Sequence, residues 1–281
     1  MDLRRSPLPE EFRLIHRSHA IAWARPEAVC WVEEVLEGGG RLYDDARERT
    51  AGATRLQGRA PVYFLPSPPR DRVVRHYVRG GVVAKWLGDR YLRLGTPRPF
   101  METIASEALR ALDIPTPRVL AAVAYPSGPV YRGDLATEYI PNARDLADLL
   151  FGARTPPITD QDVRISALMQ AGRMVARMAT LGVLHPDLNL KNFLAEGGRP
   201  DSGSPLAHPK IHLLDLDRCR ISPRSPGALG RAPGRWRMKR RLLRSLEAWE
   251  SASGRSLPPL ERVTLEKALA GDGKAEGEVP E

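Results

Sequence analysis

A chain of 281 residues with 42% apolar and 27% charged residues can bury a sizeable core, as one large domain or two smaller lobes. It has no apolar run long enough to span a bilayer, and its start, MDLRRSPLPEEFRLIHRSHA, lacks the apolar core of a signal peptide, so a cytoplasmic protein is expected. The formal net charge of +9 favours an anionic partner, whether nucleic acid, a membrane surface or a phosphorylated substrate, while Cys30 and Cys219 show neither metal-ligand spacing nor a disulfide pattern and read as reduced, partly buried thiols.

In chain order, residues 1–54 carry little pattern and are read as an N-terminal extension; within them WVEEVLEGG (31–39) suits a short helix or strand stopped by glycines. Residues 55–140 form a first lobe. APVYFLP and RVVRHYV are β-branched and aromatic runs separated by PSPPRD, which predicts two antiparallel strands and a turn. FMETIASEALRALDI (100–114) predicts a helix ending before PTPR, and VLAAVAYP and VYRGDLATEYI predict two more strands. Residues 141–255 form a second, mainly helical lobe. NARDLADLLFG (142–152) predicts a helix capped by Asn142. In DQDVRISALMQAGRMVARMATLGV (160–183), Leu168, Ala171, Val175, Met178 and Leu181 recur at helical spacing as a core-facing stripe, and Gly182 stops the helix. NFLA and KIHLLDLD then predict a hairpin across the Gly/Pro/Ser-rich EGGRPDSGSPLAHP. Residues 256–281 are read as a C-terminal extension whose tail, GDGKAEGEVPE, has a disordered composition.

The chemistry concentrates in HPDLNLKNFL (185–194) and KIHLLDLDR (210–218). The first lies between a buried helix and the hairpin, where rigid elements at both ends can hold side chains precisely. If the hairpin strands pair, Asn192 and Asp215 approach one another and give an oxygen-rich site for a hard cation such as Mg²⁺, with Asp187 beside it as a base. His76, His208 and His212 have no ligand spacing, and Asn189 reads as a loop-stabilising residue.

His-x-Asp-Leu-x-x-x-Asn, a short hairpin and Asp-Leu-Asp together resemble the catalytic and metal-binding loops of the protein-kinase-like fold, an α+β fold with a small antiparallel-sheet lobe carrying one helix and a larger helical lobe. More narrowly, RHYVRGG, LATEYIPNARDL, HPDLNLKNFL and LLDLDRCR resemble the lipopolysaccharide-core kinases, most of all those acting on 3-deoxy-D-manno-octulosonic acid (Kdo). The resemblance spans roughly residues 56–246. It implies ATP and Mg²⁺ as cofactors, Asp187 as the catalytic base, His185 as a brace of the catalytic loop, and Asn192 and Asp215 as the Mg²⁺-holding pair. It further implies Arg75 on a strand as the phosphate-binding cation, with Lys85 as competitor, Glu107 as its ion-pair partner, Gly58 in a phosphate-covering loop, and backbone contacts to adenine from Glu138 to Ile140. Pro186 and Asp217, standing where regulated protein kinases have Arg and Gly, argue against phosphorylation control.

The implied acceptor is a Kdo sugar on a lipid A precursor at the cytoplasmic face of the inner membrane, with no nucleic acid expected. RWRMKRRLLRSLEAWE (235–250) can serve either as an interfacial helix or as a terminal helix packed on the larger lobe. Other readings are a kinase for a small sugar, an antibiotic or protein Ser/Thr, and a non-catalytic nucleotide-binding pseudokinase.

Overall fold

The structure, a computed structural model, describes residues 8–50, 55–56, 61–68, 70–78, 88–197, 209–222 and 228–271. The chain divides into two compact units, residues 1–108 with 117–139, and residues 109–116 with 140–281.

The first unit is built on an antiparallel sheet. Its strands are β1 (Arg13–Arg17), β2 (Ala20–Ala24), β3 (Arg55–Leu56), β4 (Val62–Leu65), β5 (Arg72–His76), β6 (Tyr91–Leu92), β7 (Val119–Ser127) and β8 (Val130–Glu138). The order is β1-β2-β7-β8-β5-β4-β3, with β6 also paired to β8. Helices α1 (Pro26–Glu37) and α2 (Leu42–Arg49) follow β2, and α3 (Arg98–Ala111) precedes β7. The central strands are buried on both faces. Ala22, Ala24, Ala121, Val123 and Ala136 join the core that contains Val32, Leu36 and Leu42, whereas Ile21, Trp23, Ala122, Ala124 and Leu135 join the core that contains Phe100. Trp23 and Phe100 stack with ring centroids 4.3 Å apart.

Residues 13–49, expected to belong to an N-terminal extension, are therefore part of the first unit. Residues 13–24 supply two strands of the main sheet and residues 26–49 two helices that cover it. Their pattern misleads because AIAWA is buried on both faces, which removes the polar-apolar alternation by which half-buried strands are recognised. WVEEVLE is the latter part of α1, whose C-terminus is followed by the glycines. Cys30 on this helix is exposed, not partly buried.

A charged network links β5 to β8. His76 faces Asp134 directly across the strand pair, with Nδ1 2.6 Å from the Asp134 carboxylate and Nε2 3.1 Å from that of Asp89, which also accepts from Arg132. Two carboxylates on two ring nitrogens require both nitrogens to donate, hence an imidazolium. Burial alone pushes the His76 pKa down from its ordinary 6.5; the hydrogen bond and charge of Asp134, then those of Asp89, outweigh burial and hold it above that value.

The second unit contains α4 (Leu146–Phe151), α5 (Gln161–Thr180), α6 (Ala228–Ser253) and α7 (Pro259–Ala270), with short strands β9 (Arg144–Asp145), β10 (Val183–Leu184), β11 (Phe193–Glu196), β12 (Lys210–Leu213) and β13 (Arg220–Ile221). β11 pairs antiparallel with β12, Phe193 opposite Leu213, and with β9 on its other side. The stripe expected on α5 is its buried side: Leu168, Ala171, Val175 and Met178 are fully enclosed. Helix α4 is capped by Asp145, whose carboxylate accepts from the Asp148 N–H, and not by Asn142, which adopts a left-handed φ of 53° upstream. Residues 259–270 are likewise no extension, since α7 packs on α5. Arg164 bonds both oxygens of the buried Glu261 at 2.8 Å, and Gly172 lies so close to α7 that a Cβ there would meet Ala268 Cβ at 2.6 Å and the Leu269 backbone N at 3.1 Å. The tail from 272 falls outside the described residues.

Two outcomes test these packings. Gly172→Val should destabilise the protein by about 1–3 kcal/mol, because the obstruction is partly backbone that cannot retreat, and would be read as a fall in melting temperature. The His76 network holds a proton more tightly folded than unfolded, so its contribution is complete below pH 6.5 and is lost as pH rises through the raised folded value. Melting temperature should therefore fall as pH rises above 6.5, and His76→Gln should flatten that fall.

Candidate active site

The loop between β10 and β11 is organised by its own polar residues. The Asn189 side chain accepts from the Lys191 N–H and donates to the Asp187 carbonyl, while the Asn192 side chain accepts from the Asn189 N–H at 2.8 Å. This reciprocal capping stiffens the one-turn 3₁₀-helix Leu190–Asn192. Asn192 is buried, and its carbonyl accepts from the Leu214 N–H at 2.8 Å, so the pairing of β11 with β12 brings Asn192 next to the segment carrying Asp215. His185, 1% exposed, donates from Nε2 to the Leu214 carbonyl at 3.2 Å. The histidine thus ties the loop to the residue just before Asp215.

Asp215 is exposed and has φ 63°, a left-handed conformation that non-glycine residues rarely adopt. Such strain at a polar residue marks candidate functional positions. Asp187, half-buried, has one carboxylate oxygen 2.9 Å from Arg218 Nη1 and the other 3.7 Å from Arg241 Nη1.

Among the described residues, no group of three or more His, Cys, Asp or Glu could hold a metal ion. The Asp215 carboxylate and the Asn192 amide oxygen, which retains a second lone pair, are two candidate oxygen donors on segments joined by the Leu214 N–H to Asn192 carbonyl bond. That set fits Mg²⁺, which binds through one or two protein oxygens and completes its shell with phosphates and water, and does not fit a cation needing an all-protein cage.

In the first unit, Arg75 on β5 stacks over the Tyr77 ring at 4.8 Å and pairs with Glu102, which also accepts from the Tyr77 hydroxyl. Glu102, not the expected Glu107, is the partner of Arg75. Glu107 bonds Arg25 Nη2 at 2.6 Å, and Arg25 is buried, donates to the Val119 carbonyl, contacts Glu11 and lies over Phe12. The helix carried a signal that separates the two: Glu102 is seven residues, two turns, before the buried Leu109 and so lies on the same inward face.

The Glu138 N–H donates to the Arg118 carbonyl at 2.8 Å and the Tyr139 N–H to the Asp71 carbonyl at 2.9 Å, so in the segment expected to contact adenine through its backbone these two N–H groups are engaged within the protein. Ile140 begins the longer segment of the second unit. Gly58 and Lys85 lie outside the described residues.

Helix α6 packs on the second unit with Met238, Leu242 and Leu246 fully buried, while Trp236 stays exposed with Arg240 over its ring at 5.0 Å. Among the described residues, no helix is long and apolar enough to cross a membrane.

The fold is protein-kinase-like. It is similar to a solved structure described as WaaP in complex with acyl carrier protein, at TM-score 0.52 and 17% identity, over 92% of this chain and 89% of that one. Residues 33–253 match the model of the lipopolysaccharide kinase (Kdo/WaaP) family. Among curated proteins, the 3-deoxy-D-manno-octulosonic acid kinase of Stenotrophomonas maltophilia is 34% identical over 245 residues, 80% of this chain and 87% of its own length. The enzymes of that name from Vibrio parahaemolyticus and Vibrio cholerae are 30% and 31% identical, over 68% and 58% of this chain and 76% and 63% of their own lengths. The chain belongs to the lipopolysaccharide kinase (Kdo/WaaP) family, and it is a phosphotransferase with a hydroxyl group as acceptor.

Glu107→Gln should leave the buried Arg25 with a weakened partner and cost about 1.5–3 kcal/mol. The expected readout is a lower urea midpoint with an unchanged slope.

Proposed function

We propose that the protein transfers the γ-phosphoryl group of ATP to a hydroxyl of a Kdo sugar on a lipid A precursor. The observation that carries this reading is the rigid loop presenting Asp187, Asn192 and Asp215 in a member of this family. Asp187 takes the proton of the acceptor hydroxyl as its oxygen bonds to the γ-phosphorus and the bond to the bridging oxygen of ADP breaks. Asn192 and Asp215 hold Mg²⁺, which supplies neutralisation of the phosphate charge. His185 keeps the Asp215 segment against the loop, and Arg75, held by Glu102, supplies positive charge for the phosphates.

The same reading places the enzyme on the cytoplasmic face of the inner membrane. The exposed Trp236, Arg237, Arg240 and Arg244 of α6 support it, since each cation near an anionic leaflet contributes about 1 kcal/mol.

The test is incubation of the purified protein with ATP, Mg²⁺ and a Kdo-bearing lipid A precursor, followed by mass spectrometry for one added phosphate. Asp187→Asn should lower turnover by about 10²–10⁴ with little change in the KM for ATP. Absence of product with the intact protein, or undiminished turnover in Asp187→Asn, would defeat the proposal.

A further inference from the structure

We propose that Arg218 and Arg241, the two arginines at Asp187, form a cradle for the carboxylate of the acceptor sugar, a subsite that rests on the sugar-acid acceptor proposed above. Arg218 follows the Asp215–Asp217 segment and donates from Nη1 to one Asp187 oxygen at 2.9 Å; Arg241 Nη1 stands 3.7 Å from the other. Both side chains remain about half exposed, at 54% and 52%. Among the described residues, Asp187 is the carboxylate that each of them meets, so two guanidiniums confront one carboxylate.

Arg241 is held there by construction. Three successive turns of α6 meet the loop in register: Met238 Sδ lies 3.5 Å from the His185 N–H, Arg241 reaches Asp187, and Ser245 Oγ accepts from the Leu190 N–H at 3.2 Å. The fully buried Met238 and Leu242 flank the arginine and fix its place on the helix. The stretch 231–245 contains seven Lys or Arg and no acid, so no neighbour on that stretch of the helix offers a competing carboxylate.

The placement selects the ligand chemistry. A general base works within about 3 Å of the hydroxyl it deprotonates. Guanidiniums paired with that base therefore lie within a sugar ring's width of the reacting oxygen. An octulosonic acid brings its own carboxylate into this neighbourhood, and the guanidinium fork matches a carboxylate through paired N–H donors. A neutral sugar offers these donors no anion to bind. The phosphate of the lipid anchor is the other oxyanion such an acceptor carries, and the shared chemistry makes it the arm to be separated.

The experiment measures kcat and KM for the full chain, Arg218→Gln, Arg241→Gln and Arg218→Lys. The acceptors are a lipid-linked Kdo precursor, the same molecule with the Kdo carboxyl reduced to an alcohol, and the same molecule stripped of its anchor phosphates. The intact protein should prefer the carboxylate over the alcohol by at least about tenfold in kcat/KM. Each Gln variant should erase most of that preference through KM, and Arg218→Lys should keep part of it. Equal use of carboxylate and alcohol by the intact protein overturns the proposal. So does a loss of equal factor on both acceptors in the variants, which would make the arginines positioning residues for Asp187 alone. A preference that vanishes only when anchor phosphates are removed assigns the pair to phosphate and likewise overturns it. Thermal melts check that the half-exposed substitutions leave the fold intact. Product from no acceptor at all, including the unmodified one, would instead be the failure of the parent function, and the cradle would fall with it.

Discussion

Leu214 is bonded through both of its backbone groups to the loop that carries Asp187: its N–H donates to the Asn192 carbonyl and its carbonyl accepts from His185 Nε2. These two bonds, each buried or nearly so, fix the distance between a loop and a strand end that are about two dozen residues apart in sequence. The reciprocal capping of Asn189 and Asn192 then makes the loop stiff enough for the clamp to matter, because a flexible loop would absorb the constraint instead of transmitting it. Asp215 is held in a left-handed conformation one residue beyond the clamp. The Asn192 and Asp215 side chains are thereby placed by backbone, whose geometry varies little, rather than by long rotamers.

What the sequence made legible follows from the same physics. Asp187, Asn192 and Asp215 could be linked because hairpin pairing converts a sequence separation into proximity, and the long apolar stripe of α5 announced a buried helix before the loop. Glu107 alone was named as the partner, and Glu102 is distinguished from it only by helical phase, which sets Glu102 on the same inward face as Leu109. The N-terminal strands were missed for a different reason. An alanine-rich strand covered on both faces lacks polar-apolar alternation and here has a single β-branched residue, Ile21, and its neighbour β7, with LAAVA, reads as a strand only because a valine begins it and Tyr125 and Pro126 follow. The positive φ of Asp215 and the register of α6 against the loop have no local signature, since both depend on partners far along the chain.

Helix α6 shows how one element can be divided between two tasks. Its turn-by-turn contacts with His185, Asp187 and Leu190 commit one side to the loop, and the buried Met238, Leu242 and Leu246 anchor it there. Its other side keeps a tryptophan and several arginines in solvent. A run that composition alone reads as a solvated charged face is therefore sorted by helical geometry, residue by residue, into a fixed half and an exposed half.

The family match begins at residue 33, yet the sheet begins at Arg13. β2 hydrogen-bonds along Ala121 to Ala124 of β7, and the buried Arg25 fastens the end of that strand to Glu107 and to the Val119 carbonyl. A chain cut at the family boundary would turn β7 from an interior strand into a bare edge, flat, alanine-rich and uncharged, with a row of unsatisfied backbone groups open to pairing with another molecule. The limits of what is shared in sequence and the limits of what can stand alone in solution are different residues here, and the interval between them is filled by the strand that keeps the sheet from joining its neighbours.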